Sequence, residues 1–140
     1  MDLLDTFRIS GSGLVAERVR LQAVASNLAN ARTTRTPEGG PYQRRSAVLE
    51  AAPVSVFGER LDRELSMVEV TDVRVANSAG RRVFDPGHPD ADPDGYVAYP
   101  DIDVMHEMVD MMTSSRAYEA NVNVLDTTRN LALRALDIGR

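Results

Sequence analysis

The sequence predicts an α+β protein in which long N- and C-terminal helices pair as a coiled-coil-like unit, with a small β-rich middle region. Three observations predict it. Residues 102–138 contain neither glycine nor proline and repeat apolar side chains at every seventh position. Residues 2–30 carry a second seven-residue repeat. Between them, short valine-rich runs are bounded by Pro53, Gly58 and Gly80. The expected organisation is an N-terminal helical arm over 1–32, a loop and small β-rich region over 33–100, and a long C-terminal helix over 101–140 that pairs with the arm.

The N-terminal repeat is Phe7, Leu14, Leu21 and Leu28, with Leu3 and Val24 on the adjoining row. Ser10-Gly11-Ser12-Gly13 interrupts it, and each glycine costs a helix about 1 kcal/mol relative to alanine. The helix is therefore expected to start firmly near Ser12, as an N-cap, after a looser segment. Residues 30–41 are turn formers without an apolar period and read as a loop. Strands are expected over 42–57 and 66–76, at Val83-Phe84 and over 96–99. Val68 and Val70 share one strand face while Val73 and Val75 share the other, which calls for a bulge near Thr71 and Asp72 or for burial on both faces. So few strands bury a modest core, one that leans on the helices or on neighbouring subunits.

In the C-terminal stretch, Val104, Met111, Tyr118, Leu125 and Ala132 form one row, and Met108, Ser115, Val122, Arg129 and Leu136 a second. The two rows draw one mostly apolar stripe with a coiled-coil period. At about 1.5 Å per residue the helix is roughly 54 Å long, more than one small core can cover. It must pair with something.

The net charge is −5 and the pI about 5.0, which argues against nucleic acid as the main partner. The charge is uneven. Arg8, Arg18, Arg20, Arg32, Arg35, Arg44 and Arg45 lie in the first 45 residues, whereas Val83 to Ser115 holds eight carboxylates and no arginine. Basic start and acidic middle suit head-to-tail contact between subunits, as they suit a mixed solvated surface. There is no cysteine, so disulfides and thiolate metal sites are excluded. No apolar run approaches a membrane span, and no basic segment followed by an apolar one marks a cleavable signal peptide.

Two local patterns suggest chemistry. Asp90-Ala-Asp92-Pro-Asp94-Gly95, with Asp101 at the twelfth position, approaches a calcium loop. Asp101 is short for a bidentate ligand, Pro93 intrudes, and Gly87-His88-Pro89 cannot be an entering helix. The same residues make Asx and proline turns leading into the long helix. His106-Glu107 with Asp110 resembles a zinc-protease helix, but Asp110 replaces the second histidine. The plainer expectation for these three is solvent-facing positions beside the apolar stripe. No nucleophile elbow or phosphate-binding loop is present. From the residues, this is a non-enzymatic assembly protein.

Longer motifs carry a resemblance. Ser12-Gly13-Leu14 and Ser26-Asn27-Leu28-Ala29-Asn30 are followed by Thr33 to Tyr42, by Asp85 to Asp92 running into Gly95 to Pro100, by Glu107-Met-Val-Asp110 and by Ser115 to Asn121. Over nearly the whole chain the sequence resembles the axial proteins of the bacterial flagellum, and among them the proximal-rod subunits of the basal body. Ser26, where the signature commonly has asparagine, and Ala31-Arg32 depart from the pattern. The resemblance implies a structural subunit that polymerises into a hollow helical drive shaft, transmits torque and encloses the export channel. It implies helical termini lining the rod and a β-rich region facing outward. The implied partners are further copies, other rod proteins, MS-ring and rod-junction proteins and the flagellar type III export apparatus. The implied place is the basal body in the periplasm, reached without a cleavable signal peptide. No cofactor, metal, nucleic acid or small-molecule substrate is expected. The expected assembly residues are Leu14, Leu21, Asn27, Leu28 and Asn30 in the arm, Asp85, His88, Asp90 and Tyr96 in the middle region, and Met111, Arg116, Tyr118, Glu119, Asn121 and Leu125 in the C-terminal helix.

Overall fold

A computed structural model describes residues 3–54 and 65–138; the expectations for residues 1–2, 55–57 and 139–140 lie outside the described residues. The order is α1 (Leu3–Ala29), β1 (Arg45–Pro53), β2 (Ser66–Val75), β3 (Arg81–Phe84), β4 (Tyr96–Tyr99) and α2 (Val104–Ile138). This is the α+β arrangement expected, with long helices at both ends and short antiparallel strands between.

α1 runs unbroken through Ser10 to Gly13, so the start expected near Ser12 is corrected. The Ser12 hydroxyl caps nothing. It donates to the Ile9 carbonyl at 2.8 Å and accepts from the Val68 amide of β2 at 3.1 Å. Ser10 is buried, and a Cβ on Gly13 would meet the Asn121 side chain of α2 at 2.9 Å. Packing thus overrides the low helix propensity of the glycines. At its far end the Asn30 side-chain amide donates to the Ser26 carbonyl at 2.9 Å, closing the last turn. α2 opens at Asp103, whose carboxylate accepts from the Met105 and His106 amides at 2.9 and 3.3 Å. That is an N-cap.

The helices pair antiparallel. Gly13 sits against Asn121 and Asn27 against Glu107, so one chain ascends as the other descends. The centre of the interface differs from the stripe read in the sequence. On α2 the deepest positions are Glu107, Ser114 and Thr128, with Asn121 half-buried on the same seven-residue row. Met111, Leu125 and Ala132 flank this row half-buried, while Val104, Met108 and Leu136 face outward. The α1 residues opposite are small: Ser10, Gly13, Ala16 and Ala23. The small α1 residues leave room for short side chains at Ser114, Asn121 and Thr128, while Glu107, the largest of the fully buried side chains, reaches into contact with Asn27. The polar residues are tolerated because most are bonded, as Thr128 is to the Val124 carbonyl at 2.8 Å.

β1 and β2 form an antiparallel ribbon, and β3 and β4 a second one. In the first, Val48 faces Asp72 and Leu49 faces Val70, leaving Thr71 as an extra residue. The bulge, and not burial on both faces, explains why the valines change sides. The ribbon packs on α1; Val73 and Val75 remain exposed. At Gly80 φ is +76°, and a Cβ would run into the Tyr99 carbonyl, so glycine is required where the chain enters β3. Among the described residues the buried apolar side chains are Ala16, Ala23, Val24, Tyr42 and Val97, matched by five buried polar ones. The core is small, and no helix is long and apolar enough to cross a membrane.

Candidate assembly surface and the polar hub beneath it

Where the end of α1 meets the start of α2, six side chains lock three segments together. The Asn27 amide nitrogen donates to the Arg45 carbonyl at 2.8 Å and to Glu107 Oε2 at 2.9 Å. Its oxygen accepts from the Arg45 amide at 2.8 Å and from the Tyr42 hydroxyl at 3.2 Å. Asn27 therefore pairs with the backbone of Arg45 as a neighbouring strand would. Tyr42 also meets the Ser26 hydroxyl at 2.9 Å. Glu107, 1% exposed, accepts from Arg44 Nε at 2.6 Å, and Arg44 reaches Asp110 at 3.8 Å. The carboxylate is paired and hydrogen-bonded, which is what lets a charge remain buried. The expectation of solvent-facing residues at 106, 107 and 110 holds for exposed His106 and fails for Glu107. Glu107 is committed to Arg44 and Asn27, and among the described residues no three histidine or carboxylate side chains are grouped to hold a metal.

The middle loops lock onto each other. Asp90 accepts from the Thr34 hydroxyl at 2.8 Å and faces Arg35 at 3.8 Å. Asp92 accepts from the Tyr96 and Asp94 amides at 2.8 and 3.0 Å and pairs with Arg82. The Tyr96 amide, and after it Arg82, hold the Asp92 carboxyl below its ordinary value of 3.8. Arg82 also lies over the Tyr96 ring at 4.8 Å, and Phe84 meets that ring edge-on at 5.3 Å. His88 Nδ1 accepts the Asp90 amide at 3.1 Å, and Asp85 accepts from the Gly87 amide at 3.3 Å. The loop that approached a calcium site is a set of Asx turns whose carboxylates bond to the chain itself.

The residues singled out from the sequence divide by depth. Asn27 is fully buried; Leu14, Leu21, Leu28, Asn30, Met111, Asn121 and Leu125 are half-buried along the helix pair. His88 and Asp90 are half-buried in the loops. Asp85, Tyr96, Arg116, Tyr118 and Glu119 are exposed. Arg44 was missed as a hub residue, and Tyr42 and Glu107 stood in motifs without a role. The signal for Glu107 is its position on the row it shares with Ser114, Asn121 and Thr128. Outward-facing apolar side chains are numerous on the helices, among them Leu4, Val15, Met105, Met108, Val109, Met112, Leu131 and Leu133. Surface of this kind marks interaction sites.

The sequence is similar to those of known proteins. Residues 7–35 match the family described as flagella basal body rod protein, and residues 94–138 match the C-terminal family of the flagellar basal body rod FlgEFG proteins. Over the full length of both chains, the sequence is 42% identical to the flagellar basal-body rod protein FlgC of Escherichia coli O157:H7 and 40% identical to that of Salmonella typhimurium strain LT2. It is 37% identical to the FlgC protein of Bacillus subtilis strain 168, again over the whole of both chains.

Proposed function

The chain belongs to the FlgC family of flagellar basal-body rod proteins, and we propose that it polymerises into a hollow helical drive shaft that transmits torque and encloses the export channel. It is a structural subunit of the rod and assembles with other basal-body rod components. Its relatives are structural proteins rather than enzymes, and this chain acts by assembly without catalysis or cofactor. The observation that carries the reading is the full-length kinship joined to a helix pair whose outer faces are apolar and uncovered. Such faces are stabilised when neighbouring subunits remove them from water.

In this reading the unit over 33–100 faces outward, while 1–32 and 101–140 line the rod. The finer partners are the MS ring, the rod-junction proteins and the type III export apparatus, which delivers the unfolded chain to the periplasm. Exposed Asp85, Tyr96, Arg116, Tyr118 and Glu119 meet neighbours directly. Leu14, Leu21, Leu28, Asn30, Met111, Asn121 and Leu125 set the helix geometry on which those contacts depend, with buried Asn27 acting from inside; His88 and Asp90 set the loops.

Complementation of a strain lacking its own copy tests this. The natural chain restores motility, and Leu125→Pro, at equal expression, does not, because proline in a helix interior costs about 3 kcal/mol and kinks the pair. A motile Leu125→Pro strain would remove the helix pair from the mechanism.

A further inference from the structure

Two outward faces of the helix pair, one on each helix, complement each other. On α1, Leu4, Arg8, Gly11, Val15, Arg18 and Gln22 follow a spacing of four and three residues, one stripe along a helix. Leu4 and Val15 are 63% and 50% exposed. Arg8 and Arg18 are exposed and form no ion pair among the described residues. No carboxylate lies on this stripe. At its middle is Gly11, around whose missing Cβ nothing lies within 4 Å. Gly13 differs, since its missing Cβ makes room for Asn121 of the same chain. Gly11 therefore weakens α1 without serving any contact inside the protomer. A glycine at the centre of an uncovered helix face admits the close approach of another backbone.

On α2, Met105, Met108, Val109 and Met112 form an apolar patch, each at least 49% exposed, on the side away from α1. Exposed Asp101 and Asp103 precede it, and Arg116 and then Glu119 follow. The patch is thus apolar with one acidic end, and on the α1 stripe Arg8 and Arg18 flank Gly11 and Val15. Unbranched methionines adapt to a closely approaching helix.

We propose that the α1 stripe of one copy packs against the Met105–Met112 patch of a second copy, with Gly11 at the closest approach and a stripe arginine, Arg8 or Arg18, reaching Asp101 and Asp103. The inference rests on the rod-subunit reading and specifies one of its contacts. Because the two faces lie on opposite sides of the helix pair, the contact is heterologous and repeats without closing on itself. Charge pairing at one end sets the register, while the apolar middle is removed from water.

The absence of native cysteine allows a direct test. Val15→Cys and Val109→Cys are introduced together and singly, and basal bodies from complemented cells are oxidised. The double variant is expected to give a ladder of cross-linked copies, and each single variant only monomers. Dimers from a single variant would overturn the heterologous geometry. A cross-link only to a different rod protein would overturn the choice of a second copy. Monomers from assembled, motile rods would overturn the contact altogether. Gly11→Leu provides an independent check. It improves helix propensity, so the circular dichroism of the purified chain stays equal or rises, while motility is lost. Retained motility in Gly11→Leu would also overturn the proposal. Failure of the natural chain to restore motility would instead count against the rod reading.

Discussion

At Asn27 a side-chain amide takes the place of a strand edge, satisfying both backbone groups of Arg45 and one oxygen of Glu107. An alanine at 107 would leave Arg44 only Asp110 and the Asn27 amide only the Arg45 carbonyl. We expect Glu107→Ala to cost about 1.5–3 kcal/mol, the size of lost hydrogen bonds to a charged group, read as a lowered urea midpoint in an osmolyte that favours folding. Ser114 gives the opposite expectation. Its hydroxyl is buried without a hydrogen-bond partner among the described residues, so Ser114→Ala should be neutral or stabilise by about 1 kcal/mol. Asp92 gives a pH effect. Its carboxyl is lowered from 3.8 in the folded chain, so its contribution is complete above that value and is lost as pH falls through the lowered one. The Tyr96 amide resonance should shift over that acid range, and the shift should vanish in Asp92→Asn.

The helices show what a seven-residue pattern reveals and what it hides. Both were legible, as were the four strands; the bulge at Thr71 was one of two explanations the valines left open. The direction each helix faces was not legible. The stripe drawn by the rows from Val104 and Met108 looked like the inner seam, yet the interface is centred on Glu107, Ser114, Asn121 and Thr128. Small residues on α1 set a spacing that favours short polar side chains, and that spacing depends on two helices at once. A pattern on one helix cannot contain it. The hub was hidden for the same reason, since Asn27, Tyr42, Arg44 and Glu107 come from three separate segments. The two glycines of α1 should now separate by position. Gly13→Val drives a branched side chain into Asn121 and should loosen the pair by about 1–3 kcal/mol. Gly11→Ala should strengthen the isolated helix by up to about 1 kcal/mol. Urea titrations in the same folding osmolyte, followed by circular dichroism, distinguish them.

For the molecule as a whole, a small mixed core carries two helices about 40 and 52 Å long. Among the described residues nineteen large apolar side chains are exposed. The helices consequently depend on neighbours for part of their stability. The purified chain should have low far-UV helicity, with proteolysis near Arg32 and just before Asp103. A strongly helical, protease-resistant monomer would contradict this.

The hub joins residues 27 and 107, eighty positions apart in the chain. At about 5–20 residues per second, a ribosome needs roughly 4–16 s to make the intervening segment. Throughout that interval the first helix has no second helix beside it, and the amide of Asn27 has no carboxylate to bind. Closure of the helix pair is thereby postponed to the end of synthesis by topology alone. Until its C-terminal half is made, the newborn chain cannot complete its own hub.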